Sequence, residues 1–424
     1  MLNKTSYDTY IAILKEELIP AMGCTEPISV ALATAKCKTL VYGQKIIKAK
    51  LDVSANIIKN VKSVTVPNTG GMKGLKSAFA AGLIGGDPDA NLEVISKMGQ
   101  LDTDKLNDIK LNLPLEISCI DAGHIFDIAV TLITEEGHEG YVRIVDDHTN
   151  IVQKRLDGEY LLNNLKDIHI HKADRSLLNV SDILDFANTV KIDDIKDVIG
   201  RQVEYNMAIA EEGMSHAWGA NIGKVLLRNY GPDIKITAKA YAAAGSDARM
   251  NGCDKPVVIN SGSGNQGITA SVPVIVYARG LKLSEEKMMR ALCISNLVTI
   301  HLKTGIGTLS AYCGAVSAGA GAGAGICYLL GGGLKEISST IVNALAIDSG
   351  IVCDGAKASC AAKIATAVES GLLGLNMTIN GNEFYAGDGI VKQGVENTID
   401  SVSRLAHDGM QETDKEIIKI MLEE

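Results

Sequence analysis

Apolar residues recur at helical spacing from the start of the chain. Tyr10, Ile13, Leu14 and Leu18 share one face, and after a break at 23–27 a second helix is expected from Ile28 to about Leu40. From Gln44 the period changes: Ile47, Ala49, Leu51 and Val53 alternate with Lys48, Lys50 and Asp52, the pattern of a half-buried strand. Leu115, Ile117 and Cys119 alternate likewise, and residues 125–133, 141–145 and 151–154 are short β-rich runs separated by Glu-Gly-His and Asp-His-Thr-Asn turns. An antiparallel meander is expected there, with helical stretches near 75–83 and 91–98 interrupting the strands. Beyond Asp174 the helical period returns, with Ile192, Ile195, Ile199, Val203 and Met207 in one stripe and helices expected to the C-terminus.

The pattern therefore predicts an α+β chain: a small α/β domain with an antiparallel sheet, plus a larger all-α domain that contains a cysteine cluster. Residues 1–42 form N-terminal helices that pack on the helical domain, 43–175 the α+β domain, and 176–424 the helical one. A length of 424 residues suits a division into about two or three domains.

Composition narrows the partners. With 41 basic against 50 acidic residues the net charge is -9, and no Lys/Arg-rich stretch could neutralise a phosphate backbone, so no nucleic-acid partner is expected. The N-terminal residues lack the basic start, apolar block and cleavage site of a signal peptide, which predicts a cytoplasmic protein. The most apolar long window, 313–334, is mostly Gly and Ala and reads as a buried helix, so no membrane partner is expected. In a reducing compartment the nine cysteines should stay unpaired. The alternating Gly and Ala at 319–325 would let neighbouring backbones approach closely.

Two glycine-rich turns carry candidate chemistry. Asn260-Ser-Gly-Ser-Gly-Asn-Gln-Gly267 contains a formal G-x-G-x-x-G after the apolar run 257–259. A dinucleotide site also needs an acidic residue ending a second strand about twenty residues on, whereas Glu285 and Glu286 sit in a helix start. The alternatives are an anion-binding turn, with free backbone N–H groups and the positive end of the following helix, or a purely structural turn. Asn68-Thr-Gly-Gly-Met-Lys-Gly74 is a second such turn, where a strand ending near Val66 meets a helix starting near Leu75.

Cys24 lies in Gly23-Cys-Thr-Glu-Pro27, just before a helix, where the N-terminal dipole should lower its pKa and favour thiolate. Cys313 opens the Gly-Ala run, and Cys353 and Cys360 bracket Asp354-Gly-Ala-Lys-Ala-Ser359. In an unbroken helix the last two would stand about 10 Å apart along the axis, too far for one small cluster, so Asp354-Gly355 must bend the chain. The absence of C-x-x-C argues against a zinc ribbon or a ferredoxin-type carrier. Core packing is the bland alternative for all four, and Cys37, Cys119, Cys253, Cys293 and Cys327 are assigned to it. His169 and His171 could pair on a strand, yet Lys166, Asp167 and Lys172 beside them mark a solvated surface, and they receive no role.

Taken together, Gly23-Cys-Thr-Glu-Pro27, Asn260-Ser-Gly-Ser-Gly-Asn-Gln-Gly267, Cys313-Gly-Ala and Cys353-Asp-Gly-Ala-Lys-Ala-Ser-Cys360 resemble the L-cysteine desulfidase family, relatives of the iron-sulfur L-serine dehydratase α-subunit. The resemblance spans essentially the whole chain. It implies a [4Fe-4S] cluster on Cys313, Cys353 and Cys360 with one iron open, and Cys24 as catalytic base or as a displaceable fourth ligand. It further implies non-redox elimination of L-cysteine to pyruvate, ammonia and hydrogen sulfide without pyridoxal phosphate, with L-serine as the alternative substrate. Asn68, Thr69, Ser261, Ser263, Gly264, Asn265 and Gln266 are the expected substrate contacts. A dehydrogenase and a non-catalytic metabolite-binding protein are the rival classes, and the oligomeric state stays open, a homodimer being one option.

Overall fold

A computed structural model describes residues 2–99, 103–165 and 173–423. The alternating segments build a six-stranded sheet. Its spatial order is Leu115–Cys119, Ile46–Val53, Asp127–Thr134, Glu139–Val145, Ile151–Leu156 and Glu159–Asn163. From Ile46–Val53 through Asp127–Thr134 onward every neighbour is antiparallel, which is the expected meander extended by one strand. Leu115–Cys119 instead pairs parallel with Ile46–Val53. Three helices, Ala55–Val61, Leu75–Gly85 and Thr103–Asn112, lie between those strands in sequence, and a connection of that length returns the chain to the same end of the sheet. Ala49, Leu51 and Val53 are fully buried and alternate with the less buried Lys50 and Asp52, as a strand with one wet face requires, whereas Ile47, expected on the buried face, is exposed where the pairing register shifts between Ile46 and Lys48.

The two N-terminal helices part company, against the expectation that both pack on the helical domain. Lys4–Glu17 does so: Tyr7 and Tyr10 flank Phe186, and the Tyr7 hydroxyl donates to Asp194 Oδ2 at 2.7 Å. Thr25–Leu40 has almost no polar face, so it needs cover all round. It finds that cover against the sheet and against Leu75–Gly85, where a Cβ on Gly82 would lie 2.2 Å from the Ala31 carbonyl oxygen.

The rest of the described chain is mainly helical, and the molecule is α+β with a small sheet layer and a larger helical part. Gly314–Leu329 runs through the middle of that part with nearly every residue buried, as its Gly-Ala composition predicted. Cβ atoms at Gly319, Gly321 and Gly323 would lie 2.1 Å from Ala367 O, 2.5 Å from Ser295 O and 2.8 Å from Gly371 O. Small residues here let three helices touch through their backbones. The C-terminal part is not purely helical, because Pro256–Val258 pairs antiparallel with Pro20–Met22 and fastens the start of the chain to its middle. Among the described residues no helix is long and apolar enough to cross a membrane.

Candidate active site

Cys313 is the N-cap of Gly314–Leu329, and Cys360 is the first residue of Cys360–Ile379. Gly319 meets Ala367 and Gly323 meets Gly371, so the two helices run parallel and their openings lie at the same end. Cys353 reaches that end from an extended segment. Tyr312 and Val352 form an antiparallel bridge, Cys313 N donates to Ile351 O at 2.8 Å and Cys353 N to Ala311 O at 2.6 Å. Gly355 then turns at φ +89°, pressed against the Lys59 carbonyl, and this is the bend that the spacing of seven required.

Cys24 joins them from the other layer. It is the N-cap of Thr25–Leu40, and Gly23 before it adopts φ +62° with its Cα against the Pro67 ring. A cavity of about 110 Å³ is lined by Cys24, Cys313, Cys353 and Cys360 together with Arg249, Ser261, Ser263, Asn265 and Gln266. The Thr25 hydroxyl donates to the Gly262 carbonyl at 2.9 Å, locking the Cys24 segment to the 260–267 turn.

The electrostatics divide the thiols. The hydrogen bond from Cys313 holds the Cys353 thiol below the ordinary range, against the effect of burial and with help from Lys59. Burial pushes Cys360 up. Cys24 is raised well above the ordinary thiol range by burial and by the Glu26 carboxylate, to which its Sγ donates at 3.0 Å, with Arg249 opposing. The lowering expected from the helix end is therefore overturned: desolvation of a fully enclosed thiolate outweighs a dipole that acts over one turn. Lys303, buried on the same cavity, is lowered to about 8 by burial, with Cys353 and Cys313 opposing.

The two glycine turns differ. Asn68 and Thr69 do not line the cavity: Asn68 Nδ2 donates to Ile95 O at 3.0 Å and Thr69 Oγ1 to Val66 O at 2.7 Å, so both side chains are used within their own layer. Gly264 opens the helix Gly264–Gly280 behind the cavity wall, where a Cβ would stand 2.3 Å from Arg249 Nε. The dinucleotide reading fails on topology. The strand before this turn, Pro256–Val258, belongs to a two-stranded antiparallel ribbon, not to a parallel βαβ unit.

Arg249 was not anticipated from the sequence. It is among the largest fully buried side chains, and its Nε and Nη2 have no hydrogen-bond acceptor in the protein. A signal existed: Ala240–Met250 is small or apolar except for Ser246, Asp247 and Arg249, so charges within it had to lie inside. Of the remaining cysteines, Cys37, Cys253, Cys293 and Cys327 are buried, whereas Cys119 is exposed at the end of the edge strand. His169 and His171 lie outside the described residues.

An all-sulfur donor set gathered on one cavity suits an iron-sulfur cluster better than a hard cation. No group of His, Cys, Asp or Glu among the described residues is arranged to hold a metal ion. The ligands of a cluster sit on separate irons, a different arrangement from the ligands of one ion.

The profile of the serine dehydratase alpha chain family matches residues 48–419, and the chain belongs to that family. Membership points to a dehydratase-type lyase and associates it with iron-sulfur enzymes. Over 98% of its length the chain is 55% identical to a UPF0597 protein of Desulfitobacterium hafniense, of which 97% is covered. It is also 49% identical to a UPF0597 protein of Lachnoclostridium phytofermentans over 98% of this chain and 100% of the relative. A third, from Treponema denticola, is 45% identical with both chains covered in full.

Proposed function

We propose that the protein is an L-cysteine desulfidase, eliminating sulfide from L-cysteine to give pyruvate and ammonia, with Cys313, Cys353 and Cys360 holding a [4Fe-4S] cluster. The observation that carries this reading is the convergence of four cysteines from three separate segments on one small cavity. When bound, the cluster supplies a Lewis acid that accepts the departing sulfur without a change of oxidation state.

The 261–266 turn receives the substrate carboxylate beside the positive end of Gly264–Gly280. Asn68 and Thr69 are left out of this assignment because their polar groups are already spoken for. Cys24 removes the α-proton; its hydrogen bond to Glu26 offers that carboxylate as the acceptor that makes the sulfur basic. The Cα–H bond breaks, its electron pair forms the Cα–Cβ double bond, and the Cβ–S bond breaks with sulfide leaving. The resulting aminoacrylate tautomerises, adds water and releases ammonia and pyruvate.

The family match favours L-serine as the second substrate reading. Anaerobic purification with iron and sulfide analysis, and assays of pyruvate and sulfide from L-cysteine beside pyruvate from L-serine, separate the two. Cluster-loaded protein that releases sulfide supports the desulfidase. Activity on serine alone replaces it with a dehydratase, and no iron after reconstitution removes both. C24A should keep its iron and lose turnover, while Ser at Cys313, Cys353 or Cys360 should lose the iron itself; equal iron loss in all four variants would undo this division of roles.

A further inference from the structure

We infer that Arg249 is the anchor for the substrate carboxylate, and that the side-chain oxygens of Asn265 and Gln266 take the ammonium group, so that the cavity is built for an α-amino acid zwitterion. This deepens the elimination reading and rests on it for the identity of the reaction, though not for the ligand class. A guanidinium cannot shed its charge, and burying one without an acceptor is strongly unfavourable. Arg249 is 2% exposed, lines the cysteine cavity and leaves Nε and Nη2 unanswered by any protein acceptor. Those two nitrogens lie on one edge of the guanidinium, the edge that grips a carboxylate through two parallel hydrogen bonds.

The surroundings are fitted to that fork. A Cβ on Gly264 would lie 2.3 Å from Nε and 2.7 Å from Cζ, so only glycine lets the guanidinium lie against the first turn of Gly264–Gly280. The helix end and the guanidinium therefore present positive charge to the same small space. Close by, Asn265 Oδ1 and Gln266 Oε1 are buried acceptors that no protein donor satisfies. Gln266 also abuts Gly314, the residue after Cys313, where a Cβ would lie 2.6 Å from Oε1. Cationic and acceptor groups thus sit beside the cysteine wall, which is the arrangement that a molecule with a carboxylate, an ammonium and a short side chain fills.

The test is calorimetric titration of the anaerobically purified full-length protein with L-alanine, which has no leaving group, and with ethylamine, its decarboxylated counterpart. Wild type should bind L-alanine at least about tenfold more tightly than ethylamine, and R249M should lose that margin while R249K keeps part of it. Because Met removes an unanswered buried charge, the thermal midpoint of ligand-free R249M should equal or exceed that of wild type. L-Alanine affinity in R249M within about twofold of wild type overturns the inference. So does failure of wild type to bind L-alanine, or an R249M protein that unfolds while R249K binds like wild type. Arg249-dependent L-alanine binding without pyruvate from cysteine or serine sinks the elimination reading alone, and pyruvate formation with KM untouched in R249M sinks the anchor alone.

Discussion

The turns at 68–74 and 260–267 are alike on paper, each opening on Asn, rich in glycine and leading into a helix, yet their side chains are used differently. In the first, Asn68 and Thr69 spend their side chains on backbone carbonyls of their own layer, and Pro67, just before the turn, packs against Gly23. In the second, Asn265 and Gln266 keep buried oxygens without donors, and Arg249 beside them keeps Nε and Nη2 without acceptors. What separates a structural turn from a binding turn is not its glycine pattern but whether its polar groups are already satisfied.

The sharpest way to break this contrast is G264A. A Cβ driven into the Arg249 guanidinium should lower kcat/KM by about 100-fold or more with the protein still folded, measured by steady-state kinetics and circular dichroism. In the first turn, T69V removes a buried hydrogen bond and should cost about 1 kcal/mol of stability by urea denaturation. Its effect on KM should be at least an order of magnitude smaller than that of G264A; a comparable effect would return the first turn to the substrate site.

The smallest effect separates two charges on one helix. Asp247 is buried but answered, accepting from the N–H groups of Ile222 and Ala220, and burial raises its carboxyl to about 6. A carboxyl whose pKa is higher folded than unfolded binds its proton more tightly in the native state. Its contribution is complete below the unfolded value and is lost as pH rises through about 6. The thermal midpoint should therefore decline between pH 5 and about 7 by an amount that D247N flattens, a comparison made by scanning calorimetry at matched ionic strength.

Period alone foretold the half-buried strand at 46–53, the meander and the long stripe from Ile192, since each depends only on which face meets the core. It missed the parallel pairing of Leu115–Cys119 and the short Pro256–Val258 strand, because both depend on partners distant in sequence. The four cysteines were legible as a set through a family resemblance, and the bend at Gly355 through helix geometry. The state of the Cys24 thiol was not, because a motif reveals that a residue precedes a helix but not that it is sealed from water. Arg249 escaped notice because a charge is normally read as surface.

The ribbon that joins Pro20–Met22 to Pro256–Val258 also sets a schedule for biosynthesis. A ribosome delivers Cys24 well before Cys360, and the ribbon that seats Cys24 against the helical part cannot close until residue 258 has emerged. Until then the first layer waits with one flank uncovered, and the cavity that the four cysteines share cannot assemble. Maturation of such a chain belongs after translation, and the partly made protein is the form most in need of chaperones.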